Sequence, residues 1–260
     1  GEDQSTLAVI GVGMPVANVS LPALAKLRGQ AEAFGRFTLE MLRLVATLTT
    51  PMQVGVFVLA ELGLRVFFGE QWLGAVAVLR AYLVFRLVEA LLVVADSVNS
   101  AAGRPDVRFK VDGVQLPFFI LATLAGVRLG LGIAGIAWLL SAVRLLAGLV
   151  YLAVTLRVAR LGWRAVARGL LPSTLAGAGM GGFVYWLQHS GLVERLEAQI
   201  GIPYLLEAQS LALLVLAGVV GYFLLLFLLD RRGTIEVFKL GWSVLLPRKK
   251  KPLVIPGAVE

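Results

Sequence analysis

Long apolar segments alternate with short polar connections along almost the whole chain. Each segment holds the roughly 20 apolar residues that a transmembrane helix needs. The pattern therefore predicts an all-α, polytopic membrane helix bundle with about seven transmembrane helices. The predicted spans are Ser5–Ala25, Phe37–Phe68, Val76–Ala102, Val111–Val127, Leu131–Leu156, Leu170–Gln188 and Tyr204–Leu229. Pro51 is expected to kink the second span, because proline removes a helical hydrogen bond.

Composition agrees with this pattern and argues against several kinds of metal and catalytic site. Hydrophobic residues make up 58% of the chain and charged residues 15%, whereas soluble domains hold about 45–50% and about 25%. Cysteine is absent and His189 is the single histidine, which argues against thiolate or histidine metal sites. Glycine-rich nucleotide loops and paired catalytic carboxylates are also missing from the sequence. We therefore expect no enzyme activity, no catalytic residues, no metal and no cofactor.

The basic residues predict an orientation. Most of the 24 lysines and arginines fall in alternate connections and in the C-terminal tail, while the other connections hold only Arg128 and Arg195. By the positive-inside rule, the N-terminus lies outside and the C-terminus in the cytoplasm. The net charge of +8 is thus a topology signal, and we expect no nucleic-acid partner. Residues 1–230 are predicted to form the bundle and 231–260 a basic cytoplasmic tail.

The third span carries ionisable side chains that are costly inside a membrane. At 100° per residue, Arg86, Glu89 and Asp96 share an arc of about 100° with two serines. Two interpretations stay open. Arg86 and Glu89 form a self-neutralising i,i+3 pair, or the arc lines a cavity in which Arg86 meets an anionic ligand.

Two further spans carry polar stripes, so the sequence predicts an aqueous cavity shared by three helices. The fourth span groups Asp112, Gln115, Phe119, Thr123 and Gly126, and the fifth groups Ser141, Arg144, Gly148, Tyr151 and Thr155. The candidate substrate-binding residues are Arg86, Arg144, Tyr151 and Gln115. The candidates for ion coupling are Glu89, Asp96 and Asp112. Pairing of Asp112 with Arg108 near the cytoplasmic end is the alternative for that carboxylate.

Other features are interpreted as structural. Glu61 and Arg65 are spaced as an i,i+4 ion pair near the end of the second span. Small residues in Leu175–Gly182 are typical of closely packed membrane helices.

Several segments resemble one transporter family. They are SLPALAKLRGQ, TTPMQVGVFVLAELGLRVFFGEQWLGAVAVLRAY, NSAAGRPDVRF and LGIAGIAWLLSAVRLL. Together they resemble the O-antigen and polysaccharide exporters, which are oligosaccharide-lipid flippases of the MOP (multidrug/oligosaccharidyl-lipid/polysaccharide) superfamily. The resemblance covers about Pro15 to Gln188, and its motifs occur in the order expected for the family.

The resemblance implies a fold, a location and a substrate. Family members have two six-helix lobes, often followed by two helices, and this chain corresponds to the C-terminal lobe without its first helix, plus the final pair. An N-terminal lobe or partner chain is therefore expected, and the start GEDQ suggests a fragment. The family moves undecaprenyl-pyrophosphate-linked oligosaccharide across the bacterial cytoplasmic (inner) membrane by alternating access, for example in O-antigen and lipopolysaccharide synthesis. The implied partners are that lipid-linked oligosaccharide and membrane lipids.

Three alternatives remain at this point. The chain could belong to a peptidoglycan-precursor flippase, which the sequence does not separate from an oligosaccharide flippase. It could be a membrane-embedded glycosyl- or acyltransferase, although His189 would then be the only histidine available as a catalytic base. It could also be an assembly subunit of the same pathway, in which case the buried arginines would be dispensable.

Overall fold

The described residues of this computed structural model, 20–191 and 206–231, are almost entirely helical and contain no strand. A short helical segment covers residues 20–26. A 3-10 helix, Glu70–Ala75, precedes α3. The α-helices are α1 (Ala31–Val58), α2 (Ala60–Phe68), α3 (Val76–Ala101), α4 (Asp106–Arg128), α5 (Gly132–Val158), α6 (Trp163–His189) and α7 (Leu206–Leu229). The predicted fold class, an all-α polytopic membrane bundle, is confirmed.

Six of the predicted spans correspond to long helices. Four of these helices, α1, α4, α5 and residues 207–229 of α7, are long and apolar enough to cross a membrane. The other two are α3, which contains four ionisable residues, and α6, which is rich in glycine and alanine. The predicted first span lies almost wholly outside the described residues, and so does the tail from residue 232.

Two helices begin earlier than the apolar pattern predicts. The expected connections AGRPDVRFK and RVARLGWRAVAR contain the first turns of α4 and α6, so Arg108 and Arg168 are helical residues. For α4 the reason is local: Pro105 immediately precedes the helix, and Asp106 in the first turn interacts favourably with the helix dipole. Polar residues can thus extend a membrane helix beyond its apolar part, and this correction matters for Arg108.

The second predicted span is two helices rather than one kinked helix. The break lies at Leu59, between α1 and α2, and not at Pro51. Arg80 of α3 stabilises this end of α1, because its Nε donates a hydrogen bond to the Phe57 carbonyl at 3.3 Å. Carbonyls in the last turn of a helix lack internal donors, and a basic side chain can supply one.

Helix α1 continues through Pro51 because a side chain from α7 replaces the missing donor. Proline has no backbone N–H, so the carbonyl four residues earlier, that of Thr47, loses its helical partner. The Tyr222 hydroxyl donates a hydrogen bond to this carbonyl at 2.9 Å, and Tyr222 is fully buried. The long-range contact therefore satisfies the polar group that the proline exposes.

Replacing Tyr222 with phenylalanine is expected to lower the free energy of unfolding by about 1 kcal/mol, since interhelical hydrogen bonds in membranes contribute roughly 0.6–1.7 kcal/mol. A Pro51→Ala background should reduce this loss, because alanine at that position would supply the amide N–H itself. Thermal unfolding of the four proteins of this double-mutant cycle in detergent would measure the coupling. Equal losses in both backgrounds would contradict the explanation.

The helices pack side by side in the order α4, α5, α3, α1, α6, α7. The small residues of α6 form an interface, as predicted. A Cβ added at Gly177 would lie against Thr50 of α1, and one added at Gly179 would lie against Leu225 of α7. The glycines thus allow close approach on both sides of α6. At the other end of the row, α3, α4 and α5 enclose the cleft described next.

Candidate functional site

The middle of α3 carries a buried ion pair. Arg86 is 9% exposed, and its Nη1 donates a hydrogen bond to Glu89 Oε2 one helical turn away. The guanidinium also lies 5.3 Å from the centre of the Tyr82 ring. The pair therefore offsets part of the cost of burying two charges in an apolar surrounding.

Arg144 reaches the same carboxylate from the middle of α5. Its Nη1 lies 3.9 Å from Glu89 Oε1. Two aromatic rings hold the guanidinium, with centroid distances of 5.0 Å to Phe85 of α3 and 5.7 Å to Phe119 of α4. The Arg144 side chain is still 45% exposed. Because an arginine offers five N–H donors, several remain available to a ligand.

A second polar cluster lies about two helical turns away, toward the end of α3. The Tyr151 hydroxyl of α5 donates a hydrogen bond to Asp96 Oδ1 at 2.7 Å. Arg108 of α4 lies between two carboxylates, with Nη1 3.5 Å from Asp96 Oδ1 and Nε 3.0 Å from Asp112 Oδ2. Its guanidinium also lies 5.5 Å from the centre of the Tyr151 ring. This cluster joins three helices through an arginine, two carboxylates and a tyrosine hydroxyl.

Packing between α3 and α5 fixes the position of both clusters. Asn99 Nδ2 donates a hydrogen bond to Thr155 Oγ1 at 2.7 Å, and both side chains are buried. A Cβ at Gly148 would lie 3.2 Å from Val88, so glycine permits the close approach. A rigid pair of helices therefore forms one wall of the site.

Side chains of both clusters line one open cleft. Its lining combines aromatic, apolar and charged side chains from α3, α4 and α5. The lining residues are Phe85, Glu89, Leu92, Arg108, Val111, Asp112, Gln115, Arg144, Ala147, Gly148 and Tyr151. The three polar stripes that the sequence predicts are thus brought together by the fold.

Five of the seven predicted site residues line the cleft, and two do not. Arg144, Tyr151, Gln115, Glu89 and Asp112 line the cleft. The other two candidates do not line it: Arg86 is buried against Glu89, and Asp96, which is half exposed, accepts a hydrogen bond from Tyr151. Asp112 lines the cleft and also forms the alternative ion pair with Arg108.

Arg108 is the residue that sequence reasoning misses, because the apolar pattern places it in a connection. A signal is present in the helical period. Arg108, Asp112, Gln115 and Phe119 follow at i, i+4, i+7 and i+11, which places them on one face of α4. Extending the helix back to Asp106 adds Arg108 to the stripe.

The arrangement suits recognition of an anion more than metal chemistry. Among the described residues, no group of three or more His, Cys, Asp or Glu side chains could hold a metal ion. His189 ends α6, and its Nδ1 lies 2.9 Å from the Tyr185 carbonyl, on a helix that does not line the cleft. The cleft instead presents arginine donors at mid-helix depth.

Comparison with known proteins agrees with the resemblance seen in the sequence. A family described as "Polysaccharide biosynthesis protein" matches residues 3–77. The teichuronic acid biosynthesis protein TuaB of Bacillus subtilis (strain 168) is 26% identical over 214 residues, covering 81% of this chain. The chain spans 44% of the length of that relative. No solved structure matches the chain.

Proposed function

We propose that this multi-pass membrane protein, a polysaccharide biosynthesis protein of the flippase family, moves a lipid-linked oligosaccharide across the bacterial cytoplasmic membrane. The chain spans less than half of its relative TuaB, so the activity belongs to a whole protein with a second lobe or partner. One lobe rocks against the other, and the N-terminus of this chain lies outside and its C-terminus inside. The protein is a transporter rather than an enzyme.

The observation that carries this proposal is the position of Arg144. It lies at the middle of α5, faces a polar cleft and is half exposed. A cation at this depth is costly, and the contacts of Arg144 with Glu89 and two aromatic rings leave donors that face the cleft and can bind an anionic ligand. Arginine binds phosphate oxygens through two parallel N–H donors. The pyrophosphate of an undecaprenyl-linked glycan is a ligand of this kind.

The surroundings of the cleft suit the rest of such a ligand. Phe118, Leu121 and Leu124 are exposed apolar side chains on α4, the helix that carries Asp112 and Gln115, and would contact lipid or a polyprenyl tail. Gln115 and Asp112 offer polar groups to sugar hydroxyls. The cleft therefore separates a polar headgroup from the bilayer while the tail stays in an apolar environment.

Complementation tests the proposal with the complete protein. It would be expressed in a bacterium that lacks its own O-antigen flippase, and surface polysaccharide and lipid-linked oligosaccharide would be measured together. Restored surface polysaccharide with falling internal lipid-linked oligosaccharide is expected. Rescue of a peptidoglycan-precursor flippase mutant alone would favour the precursor substrate. If the protein instead changed how much lipid-linked oligosaccharide is made, the transporter assignment would be overturned in favour of a transferase.

A further inference from the structure

The charged side chains at and beside the cleft form two groups that carry opposite net charges. We define the mid-helix level as Arg86, Glu89 and Arg144, and the end level as Asp96, Arg108 and Asp112. With all groups ionised, the mid-helix level has one net positive charge and the end level one net negative charge. Glu89 and Asp96 are seven residues apart on one face of α3, so the levels are about 10 Å apart by the helical rise.

We infer that this polarity orients the ligand: the diphosphate binds at the mid-helix level, and the first sugars, neutral or amino rather than acidic, bind at the end level beside Asp112. The inference rests on the proposed function and names the part of the substrate that each level recognises. The separation of the two levels is comparable with the length of a diphosphate joined to one sugar.

Asp112 is the carboxylate at the end level that is available to a sugar. It lines the cleft, and its side chain is 53% exposed. Asp96 is also about half exposed, but it does not line the cleft, and its Oδ1 is shared by the Tyr151 hydroxyl at 2.7 Å and Arg108 Nη1 at 3.5 Å. Gln115 follows Asp112 on the same face of α4 and also lines the cleft. Carboxylate and amide oxygens accept hydrogen bonds from hydroxyl groups, whereas a sugar carboxylate would be repelled by Asp112 and Asp96.

Arg108 is a positioning residue in this arrangement. It holds Asp112 through Nε at 3.0 Å and is itself held by Asp96 and the Tyr151 ring. Because both carboxylates neutralise it, Arg108 has less attraction for a phosphate than Arg144 has. Removal of Arg108 would make the end level more negative, whereas removal of the Asp112 charge would make it less negative. The two changes should therefore alter binding of an acidic sugar in opposite directions.

Binding to the complete protein in phosphatidylcholine nanodiscs tests the inference, because this lipid adds no competing net anion. The probes are farnesyl diphosphate and its conjugates with N-acetylglucosamine and with glucuronic acid, each through the diphosphate. Wild type is expected to bind the neutral-sugar conjugate more tightly than the acidic one. Asp112→Asn should strengthen binding of the acidic conjugate by about threefold to tenfold and weaken binding of the neutral one, leaving farnesyl diphosphate within about twofold.

Arg108→Gln should act in the opposite direction and weaken binding of the acidic conjugate, and Arg108→Lys should restore it. A purely structural role would weaken all probes in both variants. Equal changes for the two conjugates in Asp112→Asn would overturn the inference while leaving the proposed function intact. Failure of farnesyl diphosphate to bind, or to depend on Arg144, would instead overturn the proposed function.

Discussion

Replacing Arg144 with alanine is expected to lower the rate of polysaccharide export by about 10- to 100-fold, the loss that corresponds to a charged hydrogen bond. The reason is its place at mid-helix depth, where its remaining N–H donors face the cleft. The measurement is the rate at which surface polysaccharide reappears after induction in the flippase-deficient strain. All variants would be compared at matched abundance in the membrane.

Two control variants separate the role of Arg144 from a general effect of charge. Arg144→Lys keeps the positive charge but loses the paired donors, so an intermediate rate is expected. Arg128→Ala removes an exposed arginine from the last turn of α4, far along the helix from the cleft, and should export normally. If Arg144→Ala exported as fast as Arg128→Ala, Arg144 would have no part in substrate binding.

Replacing Glu89 with glutamine is expected to destabilise the fold by about 3 kcal/mol, because breaking a buried ion pair leaves an uncompensated charge. Glu89 pairs with Arg86 and also lies near Arg144. Its loss therefore leaves the buried Arg86 without its carboxylate and close to a second cation, Arg144. Thermal unfolding in detergent should show a midpoint about 5–10 °C lower.

A double variant tests whether the uncompensated charge of Arg86 causes the loss of stability. Adding Arg86→Met to Glu89→Gln removes the uncompensated charge and should recover a large part of the lost stability. Glu61→Gln offers a matched control, since the Glu61–Arg65 pair is more exposed and such pairs contribute about 0–1 kcal/mol. A midpoint for Glu89→Gln no lower than that of Glu61→Gln would contradict the assigned role of the buried pair.

The sequence by itself determined the fold class and the polar faces. Apolar segments of membrane length predict six helices that the structure describes, because only helices satisfy the backbone of such segments in lipid. The 3.6-residue period places Glu89 and Asp96 on one face of α3, and Asp112 and Gln115 on one face of α4. These are local properties, and they persist wherever the helices pack.

Only the tertiary structure decided which faces meet and what each charge contacts. Hydropathy does not encode the order of the helices, so the approach of Arg144 to Glu89 and of Arg108 to Asp96 could not be read from spacing. Likewise, Pro51 alone predicts a kink, but a hydroxyl from α7 completes its helix. In each case the partner lies on another helix, so the periodicity within one helix cannot predict the contact.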